Sequence, residues 1–142
     1  MREVPKELWG EVLGVVTAIT WGPDGRKPDA EASEAQVAQL RAIYDRQERL
    51  GQPEPFLTEA LADYTDDAAE AVTLYRRALV QSDGYSDEPT HTKRICLASR
   101  LIELGDLAEA RSELVLGRAE AARLNDADYL GMADELLAKL AV

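Results

Sequence analysis

Cysteine and histidine are nearly absent from this chain: Cys96 and His91 stand alone among 142 residues. A lone cysteine excludes an internal disulfide and a multi-cysteine zinc site, and a lone histidine excludes two-histidine metal sites and helix motifs such as H-E-x-x-H. No glycine-rich phosphate loop occurs either. Aromatic residues make up only 6% of the chain, and no long apolar run is present. The stretch that comes nearest, Leu8 to Trp21, is interrupted by Glu11 and falls short of the ~20 residues of a membrane span. Glu3 and Glu7 ahead of it deny it the basic start of a secretion leader, so a cytoplasmic location is expected. These absences argue against an enzyme and leave no histidine- or cysteine-based set for a cofactor or metal. His91 reads as a surface residue at a helix start, Cys96 as a small core residue, and Trp9 and Trp21 as packing residues.

Basic side chains are also scarce, with 16 Lys and Arg against 27 Asp and Glu, a formal net charge of −11. Residues 1–53 hold nine acids and seven bases, so the excess lies in residues 54–142. A field of that sign repels nucleic acid and anionic lipid and favours a basic protein partner, or else serves only solubility. Glu54, Glu59, Asp63, Asp66, Asp67 and Glu70 fall between Arg49 and Arg76 with no base among them. Asp66, Asp67 and Glu70 suit helix N-termini, and Glu54, Glu59 and Asp63 suit a solvated helix face. A docking surface for a basic partner and a carboxylate site for a cation or a glycosidic bond are the alternatives.

What the chain does contain is Ala, Leu and Glu in helical periodicity, in a length that a single domain spans comfortably. Leu8, Trp9, Val12, Leu13, Val16 and Ile19 predict a first helix with Pro5 in its first turn, although Val15 to Trp21 is also compatible with an extended segment. Gly22 to Ala32 reads as a polar loop. Ser33 with Gln36 has the spacing of a capping box, opening a second helix through Val37, Leu40, Ile43 and Tyr44 to Gly51. Pro53 and Pro55 end it, and a third helix starts near Pro55 or Phe56. Asp67 with Glu70 opens a fourth, ending before Asp83-Gly84. A fifth follows Pro89 and closes at Gly105. Asp106 with Glu109 opens a sixth, to about Leu124, and Asn125 or Asp126 a seventh, through Leu140.

Features in the second half recur 39 positions apart: Asp67, Glu70, Ala71 and Tyr75 reappear as Asp106, Glu109, Ala110 and Leu114, and Leu97, Ala98 and Leu101 as Leu136, Leu137 and Leu140. A repeat of this length is one helix-turn-helix unit. Leu97-Ala98-x-x-Leu101, Leu104-Gly105-Asp106 and Glu109-Ala110-x-x-x-Leu114 resemble a tetratricopeptide repeat, best over residues 90–124. In that pattern Arg94 stands where Trp is usual, Leu101 where Tyr is, Leu114 where Phe is and Ala122 where Pro is. The upstream copy places Pro55, Thr58 and Glu59 in the patterned slots of its first helix. Ala98, Ala110 and Gly117 are the small residues that would let paired helices approach closely.

The resemblance implies an all-α fold: antiparallel helix pairs stacked as a short right-handed solenoid of about seven helices including a C-terminal cap. It implies one domain, with residues 1–51 outside the repeat and 53–142 forming the pairs and cap. It further implies a non-catalytic protein-binding module whose first helices line a groove, here with Phe56, Ala60, Asp63 and Tyr64, then Thr92, Ile95, Ser99, Ile102 and Glu103. Ile95 and Ile102 would be exposed apolar anchors. Immunity proteins that neutralise a cognate protein and secretion chaperones are the small acidic relatives this suggests. A homodimer through the apolar first helix is a separate expectation.

Overall fold

The computed structural model describes residues 5–21 and 30–141. Among them are seven helices and no strand: α1 (Lys6–Trp21), α2 (Ala30–Arg49), α3 (Pro55–Asp63), α4 (Ala68–Ser82), α5 (His91–Glu103), α6 (Leu107–Arg123) and α7 (Ala127–Leu140). Val15 to Trp21 is helical, not extended. The predicted start of α2 is corrected: the helix begins at Ala30, so Ser33 lies inside it, because Ala30, Glu31 and Ala32 are themselves good helix formers. Residues 22–29 of the expected loop lie outside the described residues.

Local signals set most of the remaining boundaries. Pro55 occupies the first turn of α3, where its missing N–H costs nothing. The Asp67 carboxylate accepts from the amides of Ala69 (2.9 Å) and Glu70 (3.4 Å) and caps α4. Gly51 and Gly105, at φ 67° and 83°, close α2 and α5. The Asp126 side chain caps α7 through the Tyr129 amide at 3.3 Å. The cap expected from Asp106 with Glu109 is not formed: Asp106 makes no side-chain cap bond, and Glu109 is instead held by Arg76 at 2.7 and 2.8 Å. The start of α5 is capped from another helix, by Glu120 of α6, which accepts from the Thr90 amide (3.1 Å) and hydroxyl (2.9 Å).

Successive helices pair antiparallel, as their contacts show. Thr58 meets Gln81 while Asp63, further along α3, meets Tyr75, earlier in α4. Arg94 with Glu113 and Thr90 with Glu120 follow the same order in α5 and α6, and Arg46 meets Glu11 between α2 and α1. Ion pairs join the second helices to one another: Arg41 to Glu70, Arg77 to Glu48, and Arg76 to Glu109. The first helix pair therefore stacks on the second, although its sequence shows no repeat. The apolar core runs through all three pairs and into α7, from Leu8, Val12 and Leu40 through Leu61, Ile95, Leu101 and Leu114 to Ala133.

The repeat has two periods rather than one. The second helices α4 and α6 start 39 residues apart, at Ala68 and Leu107, but α3, α5 and α7 start 36 apart, at Pro55, His91 and Ala127. Burial confirms the shorter register: Pro55, Leu57, Leu61, Ala62 and Thr65 are buried, and so are His91, Lys93, Leu97, Ala98 and Leu101. The cause is the length of α5, 13 residues against 9 in α3, about one extra turn before the chain reverses. The upstream copy is thus a better repeat than its 39-residue alignment suggests, with Leu61-Ala62 standing where Leu97-Ala98 stand, not Thr58-Glu59. Helix starts likewise set Leu97 against Ala133 rather than Leu136.

The tightest helix contact is between α5 and α6. A Cβ built at Gly117 would lie 2.8 Å from Ile95 Cγ1 and 3.4 Å from Arg94 Cβ, whereas one at Gly131 on α7 meets nothing within 4 Å. Gly117→Val is expected to lower unfolding free energy by about 1–3 kcal/mol, and Gly131→Ala to raise it by up to ~1 kcal/mol. Urea denaturation of the two variants checks both signs.

Candidate binding groove

The first helices of the pairs lie side by side. Trp9 of α1 and Phe56 of α3 place their rings 5.2 Å apart. The Thr92 hydroxyl of α5 donates to Glu59 of α3 at 2.6 Å. His91 of α5 meets Tyr129 of α7 edge-on, with ring centroids 5.7 Å apart. Two cavities open on this row of helices, and Asp63 belongs to both. The first, about 210 Å³, lies between α1 and α3 and is lined, among the described residues, by Trp9, Val12, Leu13, Val16, Phe56 and Ala60 with the charged Glu59 and Asp63. The second, about 430 Å³, is lined by Asp63, Tyr75, Cys96, Ser99, Arg100, Glu103 and Met132.

Among the described residues, the cations Lys93 and Arg100 beside this surface are engaged. Lys93 is 1% exposed, and its Nζ donates to the Pro89 carbonyl (2.7 Å) and Glu88 (3.1 Å) and lies 3.3 Å from Glu59. An ammonium buried without such partners would cost several kcal/mol, so Glu59 is committed to holding α5 against α3. Arg100 donates to the carbonyls of Thr65 (2.7 Å) and Asp66 (3.3 Å) and to Glu103 (3.1 Å). Asp63 accepts from the Tyr75 hydroxyl at 2.5 Å. It keeps a face open to water, yet the helices around it displace much of its hydration. That loss of hydration pushes its pKa up to about 6, against the opposing pull of the Tyr75 hydrogen bond.

Of the residues expected to line the groove, Phe56, Ala60, Asp63, Ser99 and Glu103 border the two cavities. Thr92 is tied to Glu59, and Tyr64 and Ile102 are half-buried against the core. Ile95 is corrected: it is fully buried, in the notch left by Gly117, and is not an exposed anchor. The error follows from the register. Carrying Phe56, Ala60, Asp63 and Tyr64 forward by 36 residues instead of 39 gives Thr92, Cys96, Ser99 and Arg100, three of which line the polar cavity, and Met132 is the next step after Cys96. Glu59 and Asp63 both line the apolar cavity, Glu59 half-buried and Asp63 exposed. Trp9, Val12, Leu13 and Val16 were not expected in the groove at all, since nothing in α1 matches a repeat.

His91 and Cys96 also differ from expectation. His91 is buried, not on the surface, because Glu120 and Asp126 fold over the start of α5: its Nε2 meets Asp126 at 2.8 Å and its Nδ1 lies 3.4 Å from Glu120. That bond, with the Tyr129 amide, holds the Asp126 carboxyl below its usual range. Cys96 is half-buried at the cavity wall rather than in the core, and burial pushes its thiol up to about 12, so it stays protonated and a poor nucleophile. Among the described residues, no three of His, Cys, Asp and Glu converge as metal ligands would.

Residues 55–140 match the sequence profile described as Tetratrico peptide repeat. The chain belongs to the tetratricopeptide repeat family, whose stacked helix pairs are protein–protein interaction modules and are generally not catalytic. No curated protein and no solved structure matches it.

Asp63 in the free protein is costly above pH 6. Its ordinary carboxylate pKa is near 3.8 and its folded value about 6, so the unfolded chain releases the proton first as pH rises, and stability falls between these values. Asp63→Asn, which retains an acceptor for Tyr75, is expected to raise the melting temperature at pH 7. The gain should shrink to nothing as pH falls toward 4, which melting curves across that range would show.

Proposed function

We propose that the groove receives an extended or helical segment of another polypeptide carrying a basic side chain, and that the protein acts by stoichiometric binding. In this reading it is an immunity- or inhibitor-type protein that neutralises or escorts a cognate basic protein in the cytoplasm. The observation that carries the reading is the place of Asp63: a water-facing carboxylate at the junction of the two cavities, with Glu103 further along the same surface. Lys93 and Arg100 are occupied by protein acceptors, which leaves the groove suited to cations and not to an acidic tail. The net charge of −11 adds a long-range field that speeds the approach of a basic partner and discriminates against acidic ones. A cation placed beside Asp63 also relieves the cost of its ionised form.

The test is selection of a random peptide display library on the full chain at low salt. Enriched peptides should carry Lys or Arg and bind Asp63→Lys/Glu103→Lys at least about tenfold more weakly, with a shallower salt dependence. Their affinity for the native protein should rise as pH goes from 5 to 7, while Asp63→Asn stays flat. Acidic consensus sequences, or equal affinity for the double variant, would refute the reading.

A further inference from the structure

The apolar cavity between α1 and α3 is left open by the fold. Leu8 and Val12 are 5% and 4% exposed and already anchor α1 to the core. Trp9 and Leu13 are not needed for that attachment: they stand 50% and 51% exposed at the cavity rim. Large apolar groups held at the edge of a concave apolar surface mark a place where another surface is received. The volume, about 210 Å³, falls below the ~300–1,000 Å³ typical of small-molecule sites and suits a single inserted side chain. Its polar edge is one-sided. Among the described residues, Glu59 and Asp63 are the only charged ones in the lining, and Glu59 is already shared by Thr92 and Lys93.

We infer that the groove reads two side chains of one partner segment together: a Lys or Arg against Asp63, and a large apolar side chain inserted between Trp9, Leu13, Phe56 and Ala60. This rests on the groove's being the binding surface, as proposed above, and adds who is bound and by what. It makes α1, which lies outside the 55–140 family match, part of the recognition surface. The occupant is a segment of a basic partner polypeptide with an apolar residue close to a basic one. Charge complementarity selects it: a second copy of this acidic chain would bring further carboxylates toward Glu59 and Asp63, and a free apolar ligand would leave Asp63 uncompensated.

The peptides enriched on the full chain supply the probe, with fluorescence anisotropy as the readout. The consensus should place Lys or Arg within about one helical turn of Leu, Met, Phe or Trp. Ala60→Phe, which plugs the cavity, and Leu13→Glu, which makes its rim acidic, should each weaken binding at least about tenfold, while Gly131→Ala should not. Leu13 is half exposed, so Leu13→Glu carries the test should Ala60→Phe fail to fold by circular dichroism. Peptides that need Asp63 but bind both cavity variants at native affinity would overturn this inference and leave the proposed function standing. Peptides indifferent to Asp63→Lys, or no enrichment at all, would overturn both. A dimer in light scattering that Leu13→Glu converts to monomer would show that a second copy fills the cavity, and would likewise overturn the inference.

Discussion

Ile95 packs so closely on Gly117 that a β-carbon there would lie 2.8 Å from its Cγ1, and from that contact much of the molecule's arrangement follows. Glycine there, with Ala98 and Ala110 also fully buried, lets the backbones of α5 and α6 approach closely enough for Leu101 and Leu114 to exclude water completely. Packing at that density gains dispersion energy over many small contacts and tolerates little change in volume. Because α5 also contacts α4 and α7, seating it on α6 determines where the neighbouring helices lie. It brings Lys93 beneath Glu59 and His91 beneath Glu120 and Asp126, so the polar groups at the start of α5 become ties to α3, α6 and α7.

With one face of α5 committed to α6, a different set of its side chains faces the groove. Cys96, Ser99, Arg100 and Glu103 follow the i, i+3, i+4, i+7 spacing of a helix stripe, and they border the polar cavity with Met132 of α7 and Asp63 of α3. Two of these side chains are already committed: the Cys96 thiol stays protonated, and Arg100 is engaged by the Thr65 and Asp66 carbonyls and by Glu103. Asp63 is the exception, a carboxylate held where its charge is disfavoured in the free protein. Such a residue lowers stability, and the cation of the proposed partner would restore the balance, a trade between folding and function.

The N-terminal pair shows how a stack extends beyond a recognisable pattern. Packing α1 and α2 against α3 requires an apolar face on each helix and compatible charges on the outer side, and Leu8, Val12, Leu40, Ile43 and Tyr44 supply the first. Arg41 and Glu48 supply the second by pairing with Glu70 and Arg77 of α4. Neither requirement specifies particular residues at particular slots, so many sequences satisfy it and no motif records it.

Much of the local structure was legible in the sequence because its causes lie within a helical turn. Pro55 in a first turn, the Asp67 carboxylate over two amides, the left-handed Gly51 and Gly105 and the cap at Asp126 each act on neighbours a few residues away, and helix number, most boundaries and fold class follow from them. Where a signal competed with a distant partner, the sequence misled: Glu109 answers Arg76 rather than completing a cap with Asp106. The groove depended on distance of another kind. A single extra turn in α5 converts a 39-residue recurrence into a 36-residue one for the first helices. In that register Asp63 corresponds to Ser99, and Cys96 and Arg100 border the cavity while Ile95 is buried against Gly117. The sequence by itself therefore determined the helices and the family they belong to. Only the tertiary structure decided which side of each helix meets water, because that choice is made by the packing of α5 on α6 and of α1 on α3, between residues far apart in the chain.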